Sequence, residues 1–86
     1  MSEVRKYRRP ARKYRADVAM IADLRKRLGW TQRRLATAIG VDPSLIAQLE
    51  TGRCSVSDGV LEDIAREFGV PIQAIGVPIL PAEEAS

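Results

Sequence analysis

The chain has 86 residues, 45% apolar but only 5% aromatic, enough for one small domain with an aliphatic core and too few for two. A single cysteine, Cys54, and the lack of histidine exclude an internal disulfide, a thiol-rich metal cluster and histidine-based catalysis. The net charge of +3 conceals an asymmetry. Residues 1–15 carry Arg5, Lys6, Arg8, Arg9, Arg12, Lys13 and Arg15 against Glu3 alone, a net of +6, while the remainder holds seven basic and ten acidic residues, a net of −3. No apolar run approaches eighteen residues and no signal peptide is evident, so a cytoplasmic protein is expected.

The basic block reads as an arm over residues 1–16. Arg5-Lys6-Tyr7-Arg8 recurs as Arg12-Lys13-Tyr14-Arg15, with Pro10 between the copies to break a continuous helix. Either the segment is a flexible tail whose repetition is accidental, or it settles on DNA phosphates or in a minor groove. Tyr7 and Tyr14 would also suit stacking on unpaired bases.

A helical stripe follows: Tyr14, Val18, Ile21, Leu24 and Leu28. It predicts a helix over 17–28, capped by Asp17, unless the helix begins just after Pro10 and takes in Tyr14. Gly29 ends it, and Trp30 is expected to lie as a lid on the core. Thr31 is a suitable N-cap for a second helix carrying Leu35, Ala36 and Ile39 on one face. Gly40 stops that helix without a Cβ penalty, Val41 plugs the turn, Asp42 caps the next helix and Pro43 fits its first turn. In this third helix, Pro43–Thr51, Ile46 and Leu49 face inward, leaving Pro43, Ser44, Leu45, Ala47 and Gln48 outside. Two short helices joined at a glycine-containing turn make a helix-turn-helix, whose second helix can enter a DNA major groove.

A fourth helix is expected around Ser57–Phe68, with Leu61, Ile64, Ala65 and Phe68 inward. Asp58 and Gly59 are poor core residues, so its first turn is expected to be irregular, with Val56 or Val60 filling the gap. Pro71–Ile75 is expected as a short fifth helix. The tail from Val77 to Ser86, with Pro78 and Pro81 bracketing Ile79-Leu80, is either frayed or an extended strip. Its apolar cluster Val77–Leu80 favours a contact with a second subunit.

Leu28-Gly29-Trp30-Thr31-Gln32, Leu35-Ala36, Ile39-Gly40-Val41, Ile46, Leu49-Glu50 with Gly52, and Ile64-Ala65 with Phe68-Gly69-Val70 stand at mutual spacings that resemble the XRE-type helix-turn-helix domains of phage lambda repressor, phage Cro and many bacterial regulators. The resemblance covers roughly residues 17–75. It implies an all-α, five-helix lambda-repressor-like domain over residues 17–76, with a basic N-terminal arm at 1–16 and a C-terminal tail at 77–86. It further implies a phosphate contact from Gln32 beside exposed Arg33, another from Arg53, and an ion pair between Arg25 and Glu50. The chain departs from the family pattern at Val56, where proline is usual, and at Asp58, where leucine is usual.

No Gly-rich phosphate loop, nucleophile elbow or acid–base pair of carboxylates is present, and Cys54 has Arg53 beside it but no general base. The expectation is therefore no enzyme, no cofactor and no metal. It is a double-stranded-DNA-binding regulator, a repressor of bacterial or phage origin, acting as a homodimer. The alternative is an antitoxin or adaptor module working through a protein partner.

Overall fold

The computed structural model describes residues 12–80. In chain order they form β1 (Tyr14–Ala16), α1 (Val18–Arg27), α2 (Gln32–Ile39), α3 (Pro43–Glu50), α4 (Asp58–Phe68), a 3-10 turn (Ile72–Ala74) and β2 (Gly76–Pro78). Each helix starts on a side chain that accepts a backbone N–H of its own first turn. Asp17 accepts from Met20, Thr31 from Arg34, Asp42 from Ser44 and Ser57 from Val60. Such caps satisfy donors that the helix geometry leaves unpaired. Gly40 (φ 77°) and Gly69 (φ 73°) close α2 and α4 in the left-handed region, where a side chain is strained.

The core is aliphatic. Ile21 of α1, Leu35 of α2, Ile46 and Leu49 of α3, Leu61 and Ile64 of α4, and Ile75 are fully buried. Full burial of such a side chain stabilises by about 1.5–3 kcal/mol. Ala36, Val56, Ala65 and Phe68 complete this core, and Trp30 sets its half-buried ring edge-on to Phe68 at 5.9 Å.

Several expectations are corrected. Among the described residues there are four α-helices and a two-stranded sheet, not five helices. The segment after Pro71 is too short for an α-helical turn and closes through i→i+3 bonds, Ala74 N–H to Pro71 O and Ile75 N–H to Ile72 O. The Ile75 carbonyl is then engaged by the Asp17 N–H at 2.9 Å, which turns the chain into β2. The helix does not extend back to residue 11. Tyr14–Ala16 is instead a strand antiparallel to β2, pairing Tyr14 with Pro78, Arg15 with Val77 and Ala16 with Gly76. The pairing continues where the Ile79 N–H donates to Lys13 O.

This sheet joins the end of the expected arm, Tyr14–Ala16, to a strand that runs across the expected 76/77 boundary. The backbone of the Val77–Leu80 strip pairs within its own chain, although the side chains of Val77 and Leu80 remain 39% and 60% exposed. Leu28 is 47% exposed rather than inward, because α1 ends at Arg27 and Leu28 is its C-cap.

The first turn of α4 is regular. Ser57 caps it, and buried Val56 fills the space beneath. Asp58 serves a purpose outside the core: its carboxylate accepts the Lys13 N–H at 2.8 Å and the Tyr14 N–H at 3.3 Å. It thereby fixes the outer side of β1.

Candidate nucleic-acid interface

The α2–α3 corner is rigid for local reasons. Gly40 permits the reversal, the Val41 N–H returns to Ala36 O, and Asp42 grips the Ser44 N–H at 2.8 Å. Below the corner, Ile46 and Leu49 anchor α3 while Ser44 and Gln48 stand exposed on its outer side. Pro43, Leu45 and Ala47 are half-buried, and Leu45 also packs against the core. The outer face is therefore narrower than the sequence pattern implies, with two fully exposed polar side chains set among three partly covered apolar ones.

The far end of α3 is held by charge. Arg25 Nε donates to Glu50 Oε2 at 2.7 Å and Arg25 Nη2 to Oε1 at 3.0 Å, while Nη1 donates to the Trp30 carbonyl at 2.6 Å. Gln32 Nε2 adds a third bond to Glu50, at 3.0 Å. The paired side chains are only 10% and 7% exposed. Burial pushes the Glu50 carboxyl up, but the hydrogen bonds from Arg25 and Gln32 and the charges of Arg25 and Lys26 outweigh it, leaving the group below its ordinary range. The same hydrogen bond to Glu50 raises Arg25 against its own desolvation. One carboxylate thus ties α1, α2 and α3 together and sets the angle at which α3 is presented.

The cations expected on phosphates are spread around this corner. Arg33 and Arg53 are exposed on either side of α3 in sequence, and the Arg53 N–H caps the helix by donating to Gln48 O at 2.8 Å. Gln32 is half-buried, with its side-chain amide donating to Glu50. Arg34 lies with its guanidinium 4.5 Å from the Trp30 ring centroid, a cation–π contact absent from the sequence reading. Of the arm residues, Arg12, Lys13 and Arg15 are exposed, and Arg5, Lys6, Arg8 and Arg9 lie outside the described residues. Cys54 is half-buried with Sγ 3.9 Å from the Leu45 carbonyl, as a packing residue would be. Among the described residues, no group of three or more His, Cys, Asp or Glu could hold a metal, and no helix is long and apolar enough to cross a membrane.

This corner, with its capped helices and buried arginine–glutamate clamp, matches the helix-turn-helix family model HTH_3 over residues 21–75. The chain belongs to that family. A competence pilus inhibition repressor of Acinetobacter baylyi is 40% identical over 52 residues, which cover 60% of this chain and 47% of the relative. The chain thus matches about half the length of that protein. Among solved structures, the clp gene regulator ClgR of Corynebacterium glutamicum is 32% identical, with a TM-score of 0.63, over 65% of this chain and 60% of its own. A hypothetical transcription factor, NHTF, from Neisseria is 27% identical with a TM-score of 0.66, covering 81% of this chain and 79% of its own. For this HTH_3 domain, the likeness extends to the helical frame that presents α3, and family membership gives no support to an enzymatic role.

Proposed function

We propose that this protein is a sequence-specific regulator of transcription, a repressor, that binds double-stranded DNA with α3 in the major groove. Family membership supports this reading, and the observation that carries it is the exposed pair Ser44 and Gln48 on a helix whose opposite side is fully buried. Gln48 is suited to a bidentate contact with adenine, Ser44 to several base edges, and Pro43, Leu45 and Ala47 to thymine methyl groups. Gln32, Arg33 and Arg53 sit on phosphates, which position the domain without reading sequence. The helix-turn-helix domain at 17–76 is closed by the β1–β2 pairing, which ties the last residues of the basic arm at 1–16 to it, and the arm, with its seven cations, adds sequence-independent affinity.

Two copies bind a pseudo-palindrome with half-sites about 34 Å apart. The tail at 77–86 contributes the Val77 and Leu80 side chains to their contact rather than a further strand pairing, since Pro78 has no N–H to offer at the edge of β2.

The test is duplex binding by the Ser44→Ala/Gln48→Ala variant. Sequence preference should be lost while salt-dependent binding persists. Retained preference overturns the assignment of α3 as reader. If the arm and domain together neutralise ~6 phosphates, wild-type affinity falls on the order of a thousandfold between roughly 50 and 200 mM salt. Replacing Arg5, Lys6, Arg8 and Arg9 by glutamine should flatten that slope, and an unchanged slope removes the arm from the interface.

A further inference from the structure

The entrance of α3 presents base pairs with acceptors rather than donors. A helix start ordinarily exposes several N–H groups, which makes it a place for anions and acceptor edges. Here Pro43 has no N–H, the Ser44 N–H is held by Asp42 Oδ1 at 2.8 Å, and the Leu45 N–H is held by the Asp42 carbonyl at 2.9 Å. Asp42 is exposed two residues ahead of Ser44, and its Oδ1 accepts the Ser44 N–H. Serine, threonine or asparagine would cap α3 as well, so the cap alone does not call for a charge. No Arg, Lys or Asn stands anywhere on α3 to engage a guanine.

We propose that Asp42 is a specificity-determining residue that accepts a hydrogen bond from the N4 amino group of a cytosine in each half-site. This rests on the DNA-reading role of α3 proposed above. In HTH proteins the N-terminal residues of the recognition helix reach the base edges, which places Asp42 among the first groups to meet them. Cytosine offers a donor in the major groove, whereas guanine N7 and O6 and thymine O4 are acceptors that a carboxylate repels. Adenine pairs its N6 donor with the N7 acceptor beside it and ranks second. The Ser44 N–H, then the Ser44 hydroxyl, hold the Asp42 carboxyl below its ordinary range, so it is ionised at neutral pH. Arg33, whose charge acts in the same direction, offsets repulsion between this carboxylate and the phosphate backbone.

Binding selection from a random-sequence duplex library, run in parallel on the full chain and on its Asp42→Ser and Asp42→Asn variants, tests this. Both variants keep a capping side chain, and their melting temperatures should stay near wild type. The wild-type motif should contain a cytosine at one position of each half-site. Asp42→Ser should relax that position alone by roughly tenfold, and Asp42→Asn should shift it toward adenine. A wild-type motif without such a cytosine, or one unchanged in both variants, overturns the assignment of Asp42 and leaves α3 as the reader. If the wild-type protein enriches no motif, the DNA-reading role falls and takes this proposal with it.

Discussion

The two ends of α3 are each held by a carboxylate below its ordinary range, under opposite conditions. Asp42 is exposed and works within one turn, its oxygen closing on an N–H two residues away. Glu50 is nearly buried and accepts three hydrogen bonds from side chains 18 and 25 residues distant in sequence. The first arrangement starts a helix wherever it occurs. The second exists only when α1, α2 and α3 are already packed, and it fixes their mutual orientation. A buried ion pair is weak evidence of net stability, since desolvation offsets much of its attraction. Its contribution here is to make any other α3 angle costly, because a rotated helix would leave Glu50 inside without partners.

Removing Arg25 should therefore give the largest effect. Arg25→Ala leaves a buried carboxylate with only Gln32 and is expected to cost about 3–5 kcal/mol. Thermal melting checks this, with an expected fall of ~12 °C or more for a domain of this size. The double variant Arg25→Met/Glu50→Leu should lose less than the single one, since no charge is stranded. The acid limb adds a signed prediction. The folded carboxyl lies below its ordinary 4.5, so the stability it contributes is present above that value and is lost as pH falls through the folded value. In Arg25→Ala the stranded carboxyl is relieved by protonation. The gap between wild type and variant should narrow as pH drops below 4.5. A gap that widens on acidification, or a wild-type melting temperature, would show that the clamp is not what orients α3.

The same contrast explains what the sequence could reveal. Caps and stops are local, and Asp17, Thr31, Gly40, Asp42, Ser57 and Gly69 each announce a boundary through chemistry within a few residues. The inward positions of α2, α3 and α4 were legible too, because their apolar residues recur on one face. Arg25 and Glu50 were paired in the sequence by family resemblance, not by spacing. What stayed hidden was long-range and short in extent. A three-residue strand has no visible period, and β1 finds its partner some sixty residues later. Asp58 read as a misplaced core residue because its two partners, the Lys13 and Tyr14 amides, are backbone groups 45 and 44 positions away. Leu28 kept the step of the α1 stripe but fell on the cap, where the helix no longer points it inward. Half-burial of Leu45 depends on core neighbours that periodicity along α3 alone does not register.

Intermediate effects should come from the β1–β2 seam, which is held by packing, backbone bonds and the Asp58 carboxylate. Gly76 is buried, and a Cβ there would lie 3.2 Å from the Ile72 carbonyl and 3.2 Å from the Tyr14 Cβ and Cδ1. Gly76→Ala should cost about 1–2 kcal/mol through overpacking. Asp58→Ala should cost about 1 kcal/mol, from two lost hydrogen bonds and a carboxylate removed from the first turn of α4. Amide exchange separates the seam from the clamp. Both variants should speed exchange at Arg15 and Ile79 while leaving Leu35 and Leu49 protected. Uniformly faster exchange would mean that the seam and the helical core open as one unit.

A smaller effect belongs to Asp42. Asp42→Ala removes the cap of α3 and should lower the melting temperature less than Arg25→Ala or Gly76→Ala does, whereas Asp42→Ser should restore most of the loss. The carboxyl lies below its ordinary 3.8, so its stabilising effect is present above that pH and fades as pH falls through the folded value. Asp42→Ser carries no such titration, and its melting temperature should approach and then match wild type below 3.8. Melting curves across that range, read beside those of Arg25→Ala, distinguish a carboxylate that only starts a helix from one that aims it. If Asp42→Ala were the more damaging of the two, the order of importance along α3 would be reversed, with the angle of the reading helix set at its entrance.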